Sequence, residues 1–145
     1  MGVRGSLTEV TPDVFAQVLR GEEPNVPDGE RHSIDKAWFQ FHSMFGKAGP
    51  PLSLVITGDC LHLQSPHSLE DFCRGGHEWY LGYASPELVR EAANALSAIS
   101  TAQLRQWYEE SGCGGYDCNL YFFEKLKSAY VSAAEHRNAL QILVC

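Results

Sequence analysis

The sequence predicts a single small α/β domain, a mixed sheet covered by helices, and three observations predict it. At 145 residues, with 44% hydrophobic and 20% charged side chains, the chain fits one domain with one core, and no repeat or linker divides residues 1–145. Short apolar runs alternate with longer stretches whose apolar positions recur every three to four residues. Start signals at Thr11-Pro12 and Ser85-Pro86-Glu87, and stops at Gly21 and Gly46, bound the helical stretches. The resulting order is β-α-α-β-β-α-α-α-β, expected as a three-layer α/β arrangement with a two-layer α+β domain as the alternative.

Leu7 to Val10 reads as a short strand, followed by a helix whose Val14, Phe15, Val18 and Leu19 face inward. Glu22 to His32 carries Pro24, Pro27 and Gly29 without periodicity and reads as a loop. The aromatic-dense stretch Ser33 to Gly46 reads as one buried helix, with Ser33 as its cap, Asp35 at the positive end of the dipole, and Ile34, Trp38, Phe41 and Phe45 on the core face. Leu52 to Thr57, after Gly49-Pro50-Pro51, reads as an interior strand. Gly58 to Gly76 is irregular except for a helical turn at Leu69 to Cys73, and Trp79 to Ala84 is a strand weakened by Gly82. Leu88, Val89, Ala92, Ala93, Leu96 and Ile99 form the stripe of the next helix. Ser100 and Gln103 then box the start of another, with Leu104, Trp107 and Tyr108 inward and Gly112 to Gly115 as its stop. A last helix from Asn119 to His136 precedes a strand from Ala139 to Val144.

Eleven basic and 18 acidic residues give a net charge of −7, spread along the chain. No basic cluster exists to neutralise phosphates, so a nucleic-acid partner is not expected, and basic partners are favoured electrostatically. The longest apolar run, around Leu52 to Ile56, is far short of the roughly 20 residues that cross a bilayer. No membrane association is expected, and without an apolar signal core the chain reads as cytoplasmic. Met1-Gly2-Val3-Arg4-Gly5-Ser6 fits the short N-myristoylation pattern, which also matches by chance. Cys60, Cys73, Cys113, Cys118 and Cys145 are odd in number and contain no C-x-x-C pair, which suits free thiols in a reducing compartment.

Several blocks carry a resemblance. Asp35-Lys36-Ala37-Trp38 with His42 four residues on, Pro51-Leu52-Ser53-Leu54, Tyr83-Ala84-Ser85-Pro86-Glu87-Leu88-Val89, and the closing helix and strand together resemble the YfbM-like bacterial family over nearly the whole chain. The resemblance implies a three-layer α/β domain in a bacterial cytoplasm; it implies no activity, since that family is uncharacterised. One departure stands out: relatives carry a Gly-Pro-x-Arg-Tyr-like stretch before the Ser85 helix, and here Gly82 falls where the arginine would be. The segment from Asp59 to His77 is also longer than the family norm.

Three groups of residues could carry chemistry. Asp35, Phe39 and His42 fall at i, i+4 and i+7 of the expected helix, so Asp35, Lys36, Trp38 and His42, together with Tyr83, are candidates for ligand or partner binding. Trp38 and His42 lie one turn apart, whereas Asp35 and His42 are about 10 Å apart along the axis and need a bridging group. The competing reading makes Trp38 core and leaves the polar residues satisfying backbone groups. Cys60, His62, His67, Cys73 and His77 have the ligand types zinc takes, but their spacing matches no zinc motif, so no metal or other cofactor is expected. Cys60, just beyond a strand-like run, could serve as a nucleophile if a neighbour lowered its pKa, although no such neighbour is visible. The catalytic residues of any reaction stay unassigned, and no nucleophile elbow or P-loop is present. The leading expectation is a non-enzymatic cytosolic binding or regulatory protein, immunity-like in character, with a protein or small-molecule partner. The alternative is a small-molecule-binding or hydrolytic enzyme using His42 with residues of the 59–77 segment.

Overall fold

Four strands supply the frame, because their alternating side chains serve two different cores. A computed structural model describes residues 3–22, 31–60, 68–75, 77, 79–111 and 116–145, with side chains in the last segment from residue 119 onward. The strands β1 (Gly5–Val10), β2 (Arg31–Asp35), β3 (Tyr80–Ala84) and β4 (Ala139–Val144) form one sheet in the order β2-β1-β4-β3. Leu7 lies opposite Ile142, and Tyr80 lies opposite Val144, which puts Leu7, Leu140, Ile142, Val144, Tyr80 and Ala84 on one face. Val10, Ala139, Leu81 and Tyr83 take the other. The expected sheet covered by helices is present; all three strand pairings are antiparallel, so the mixed pairing expected from the sequence is replaced by antiparallel ladders throughout.

Helices flank both faces, giving three layers. On the second face α1 (Pro12–Leu19) packs Phe15 and Val18 against Val10, Ala139 and Tyr83. The main core lies on the first face, under α2 (Trp38–Gly46), α4 (Pro86–Ser97), α5 (Thr101–Ser111) and α6 (Tyr116–Glu135), with the short α3 (Leu69–Cys73) at its edge. The helix starts follow local rules: Thr11 and Ser85 precede a proline at the first helical turn, and each side chain accepts a backbone N–H, from Val14 at 3.5 Å and from Leu88 at 3.2 Å. Ser100 Oγ accepts from Gln103 N at 3.1 Å, as the sequence suggested.

Two further expectations are overturned. The Trp38 helix does not begin at Ser33: Ser33 and Asp35 pair with Ser6 and Gly5 of β1 around a register shift at Ile34, as the end of β2, Asp35 turns the chain at a φ of 44°, and the helix starts at Trp38. Pairing with a strand far away in sequence outweighs a local cap. Leu52 to Thr57 is likewise no strand. Leu52–Leu54 is a short 3-10 helix running into turns, and its carbonyls are met inside the core, Val55 O by the Tyr130 hydroxyl and Thr57 O by the Tyr80 hydroxyl, both at 2.7 Å. A short apolar run satisfies period-based criteria for a strand or a buried turn equally well. Of the expected Glu22-to-His32 loop, Arg31 and His32 instead pair with Thr8 and Leu7 as the start of β2, and residues 23–30 lie outside the described residues, as do the Gly112-to-Gly115 stop and Met1 and Gly2 of the N-terminal pattern.

Candidate functional site

The junction between β2 and α2 is built by close approach. A Cβ on Gly5 would lie 2.9 Å from Trp38 Cβ and 3.1 Å from Ile34 Cγ1, so only glycine lets α2 press this tightly on β1. Trp38 is buried there, its ring edge-on to Phe39 and to Phe72 of α3, and its indole N–H donates to Val3 O at 3.2 Å. Asp35 meets Arg4 Nε at 3.3 Å, and Lys36 is exposed in the turn between strand and helix. His42 sits one turn after Trp38, with Nε2 3.7 Å from Glu70 Oε1; that separation is an electrostatic contact, too long for a hydrogen bond. Its Nδ1 is buried without a partner among the described residues. Burial pushes the His42 pKa down and Glu70 pulls it partly back, so the net shift is downward and the imidazole is neutral at neutral pH. Phe39, between Trp38 and His42 in sequence, stays 51% exposed.

The structure therefore brings Asp35, Lys36, Trp38 and His42 to one corner and adds Glu70 and Phe72, but it leaves Tyr83 elsewhere. Asp35 comes from a strand end and not from the helix, so the expected i, i+4, i+7 stripe reduces to Phe39 and His42. Tyr83 is on the second face of the sheet, buried against Phe15, where its hydroxyl accepts from Gln141 Nε2 at 3.0 Å. Cys60 shares that second cluster. Its thiol is pushed up to about 12, first by burial and then by the Asp59 carboxylate, so it is protonated at neutral pH. Cys73 is exposed at the end of α3 while Cys60 is buried, and His62 and His67 fall outside the described residues. Among the described residues no three His, Cys, Asp or Glu side chains gather as a metal site.

The geometry can be set beside known proteins. Residues 1–115 match the family model described as a domain of unknown function, DUF1877. The chain belongs to this family. A solved structure, that of YfbM from Escherichia coli, described as a protein of unknown function, superposes with a TM-score of 0.61 over 98% of this chain and 99% of that chain at 19% sequence identity. At that identity the likeness shows the fold alone. No curated protein matches the chain.

Within this DUF1877 chain, the departure at Gly82 has a steric basis. A Cβ at that position would come 2.5 Å from Thr57 O and 2.9 Å from the Tyr80 hydroxyl, so the Leu54–Thr57 segment occupies the space a larger side chain would need. Asp59 then ties this segment to α4: Oδ1 accepts from Ser85 N at 2.8 Å and Oδ2 from Ser85 Oγ at 2.5 Å. Glu9 is the residue that sequence reasoning missed. It points from β1 into the main-core face with its side chain 5% exposed, and accepts from Ser132 Oγ at 2.9 Å, His136 Nδ1 at 3.0 Å and Asn138 Nδ2 at 3.1 Å. A glutamate at an inward strand position, in register with Leu140, was the only available signal. The carboxylate clamps the turn between α6 and β4, which positions the central strand pair.

Proposed function

We propose that the chain is a non-enzymatic cytosolic binding or regulatory protein, and that the corner formed by β2, α2 and α3 is the surface it presents to a protein partner. The observation that carries this reading is Phe39: a phenyl ring 51% exposed, edge-on to the buried Trp38, at a corner that also holds the acidic side chains of Asp35, against Arg4, and Glu70, against His42. A rigid aromatic anchor with a charged rim is the usual make-up of an interface hot spot. The net charge of −7 favours a basic partner, and an immunity-like role, in which an acidic protein neutralises a basic one, suits that balance.

The enzymatic alternative draws on one contact, His42 with Glu70 of the 59–77 segment. A neutral imidazole there would still need a nucleophile or activated water. Cys60, with its raised pKa and its place in the other cluster, does not supply one.

Affinity capture from bacterial lysate tests the binding reading, comparing wild type with Phe39→Ala and His42→Ala and using Tyr121→Ala, exposed on α6, as the control. A near-stoichiometric protein retained by wild type and by Tyr121→Ala, but lost with Phe39→Ala, is the expected result. Absence of any protein above background, or retention by all variants, would count against this surface. Tyr83→Ala, buried and hydrogen-bonded to Gln141, belongs among stability variants instead.

A further inference from the structure

The second face of the sheet is covered by α1 only toward Val10 and Ala139. At its other end a cavity of about 320 Å³ is lined by Arg4, Gly5, Ser6, Arg31, Ser33 and Cys145. The register explains the grouping: Ser6 pairs with Ser33 and Thr8 with Arg31, so the alternation of β1 and β2 turns Arg4, Ser6, Ser33 and Arg31 to the same side. The side chains of these four residues are donors. Ser6 is only 6% exposed, and its hydroxyl has no partner among the described residues. Ser33 Oγ accepts from Asp35 N at 3.3 Å, which leaves its own O–H to donate. Arg31 makes no ion pair among the described residues, and Arg4, whose side chain is 73% exposed, meets Asp35 with Nε 3.3 Å from Oδ1, with neither terminal nitrogen of that guanidinium hydrogen-bonded among the described residues. Cys145 completes the lining, and its main-chain oxygen accepts from Arg4 N at 2.7 Å.

We propose that this cavity binds the phosphate group of a small anionic ligand, independently of the α2 surface described above. Two guanidiniums and two hydroxyls that can each turn a donor into the cavity, with no Asp or Glu among its lining residues, match a tetrahedral oxyanion, which accepts several hydrogen bonds at once and takes arginine in bidentate fashion. The cavity is within the size range of small-ligand clefts, about 300–1,000 Å³, and is open to the surface, so it admits the phosphate of a monoester as well as free phosphate. Concentrating two arginines in one depression of an acidic protein makes this spot locally attractive to an anion.

The test is a titration of the isotopically labelled full chain followed by amide resonances, with inorganic phosphate in one arm, a sugar phosphate in the second, and chloride at matched ionic strength in the third. Saturable shifts at Gly5, Ser6 and Ser33 in the first or second arm, and none with chloride, are expected. Binding in the sugar-phosphate arm at least as tight as with free phosphate would identify a monoester site, and tighter binding of free phosphate a phosphate site. Arg31→Gln, whose exposed side chain leaves folding intact, should weaken binding about tenfold, and Ser6→Ala should weaken it less. The proposal is overturned by shifts of equal size with chloride, by no saturable shift up to about 10 mM phosphate, or by unchanged affinity in folded Arg31→Gln.

Discussion

Glu9→Gln keeps the shape of the side chain and removes its charge, and the cost follows from the contacts of the buried carboxylate. Three donors converge on it, from Ser132, His136 and Asn138. A hydrogen bond to a charged acceptor contributes about 1.5–3 kcal/mol and a neutral one about 1 kcal/mol. Glutamine retains one carbonyl acceptor, and its amide can donate to a reversed Ser132 hydroxyl. The three bonds share one group, and the His136 side chain is 62% exposed and can turn to water, so their losses do not add. The expected cost is about 2 kcal/mol at neutral pH, or about 6 °C in Tm for a domain of this size. Glu9→Ala, which strands the donors of Ser132 and Asn138 as well, should cost about 3–4 kcal/mol. The pH dependence has a definite sign. Burial raises the Glu9 pKa, but the bonds from His136, Ser132 and Asn138 outweigh it, and the net shift is downward. The unfolded chain therefore binds the extra proton in the acid range. Stability from Glu9 is complete above the unfolded carboxyl value, about 4.3, and is lost as pH falls through the lower folded value. Urea unfolding of both proteins from neutral pH downward should show a gap that shrinks below about pH 4.5. A variant within about 0.5 kcal/mol of wild type at neutral pH, or a gap that widens toward acid, would refute the clamp.

Two further outcomes are expected. Tyr130→Phe leaves the Val55 carbonyl unpaired inside the core and should lower stability by about 1–3 kcal/mol in urea unfolding, whereas Tyr121→Phe on the exposed face of α6 should leave it unchanged; equal stability for both would mean that Val55 O finds another donor. In native protein at neutral pH, iodoacetamide should label the exposed Cys73 and Cys145 and spare Cys60, which should react only after unfolding; labelling of Cys60 as fast as Cys73 would contradict its burial and its pKa of about 12.

What was legible in the sequence was local. The caps at Thr11, Ser85 and Ser100 act over three residues, and each appears where the pattern placed it. The strands at Tyr80–Ala84 and Ala139–Val144 were recoverable from composition and from their bounding turns. Trp38 and His42 were recoverable as neighbours because one helical turn fixes their spacing. What was not legible depends on partners far along the chain. Tyr83 looked like part of the binding corner until its register opposite Gln141 put it on the other face; one residue of slip would have reversed that, and nothing within β3 chooses between the two. Leu52 to Thr57 looked like a strand because the hydroxyls that satisfy its carbonyls arrive from residues 80 and 130. Glu9 passed unnoticed because its donors lie 123 to 129 residues downstream. In all three cases the deciding contact is a polar one, made in or at the edge of the core between distant residues. Apolar periodicity specifies which face of an element is buried but not which element it meets. In this chain that second choice is made by tyrosine hydroxyls and one carboxylate, whose burial is tolerable only if their particular partners are in place. The same logic separates the two candidate surfaces. Residues whose polar atoms are already matched, such as Tyr83 and Asp59, hold the fold together, and those left with spare capacity or exposed apolar area, such as Arg31, Ser6 and Phe39, are the ones available to a ligand or a partner.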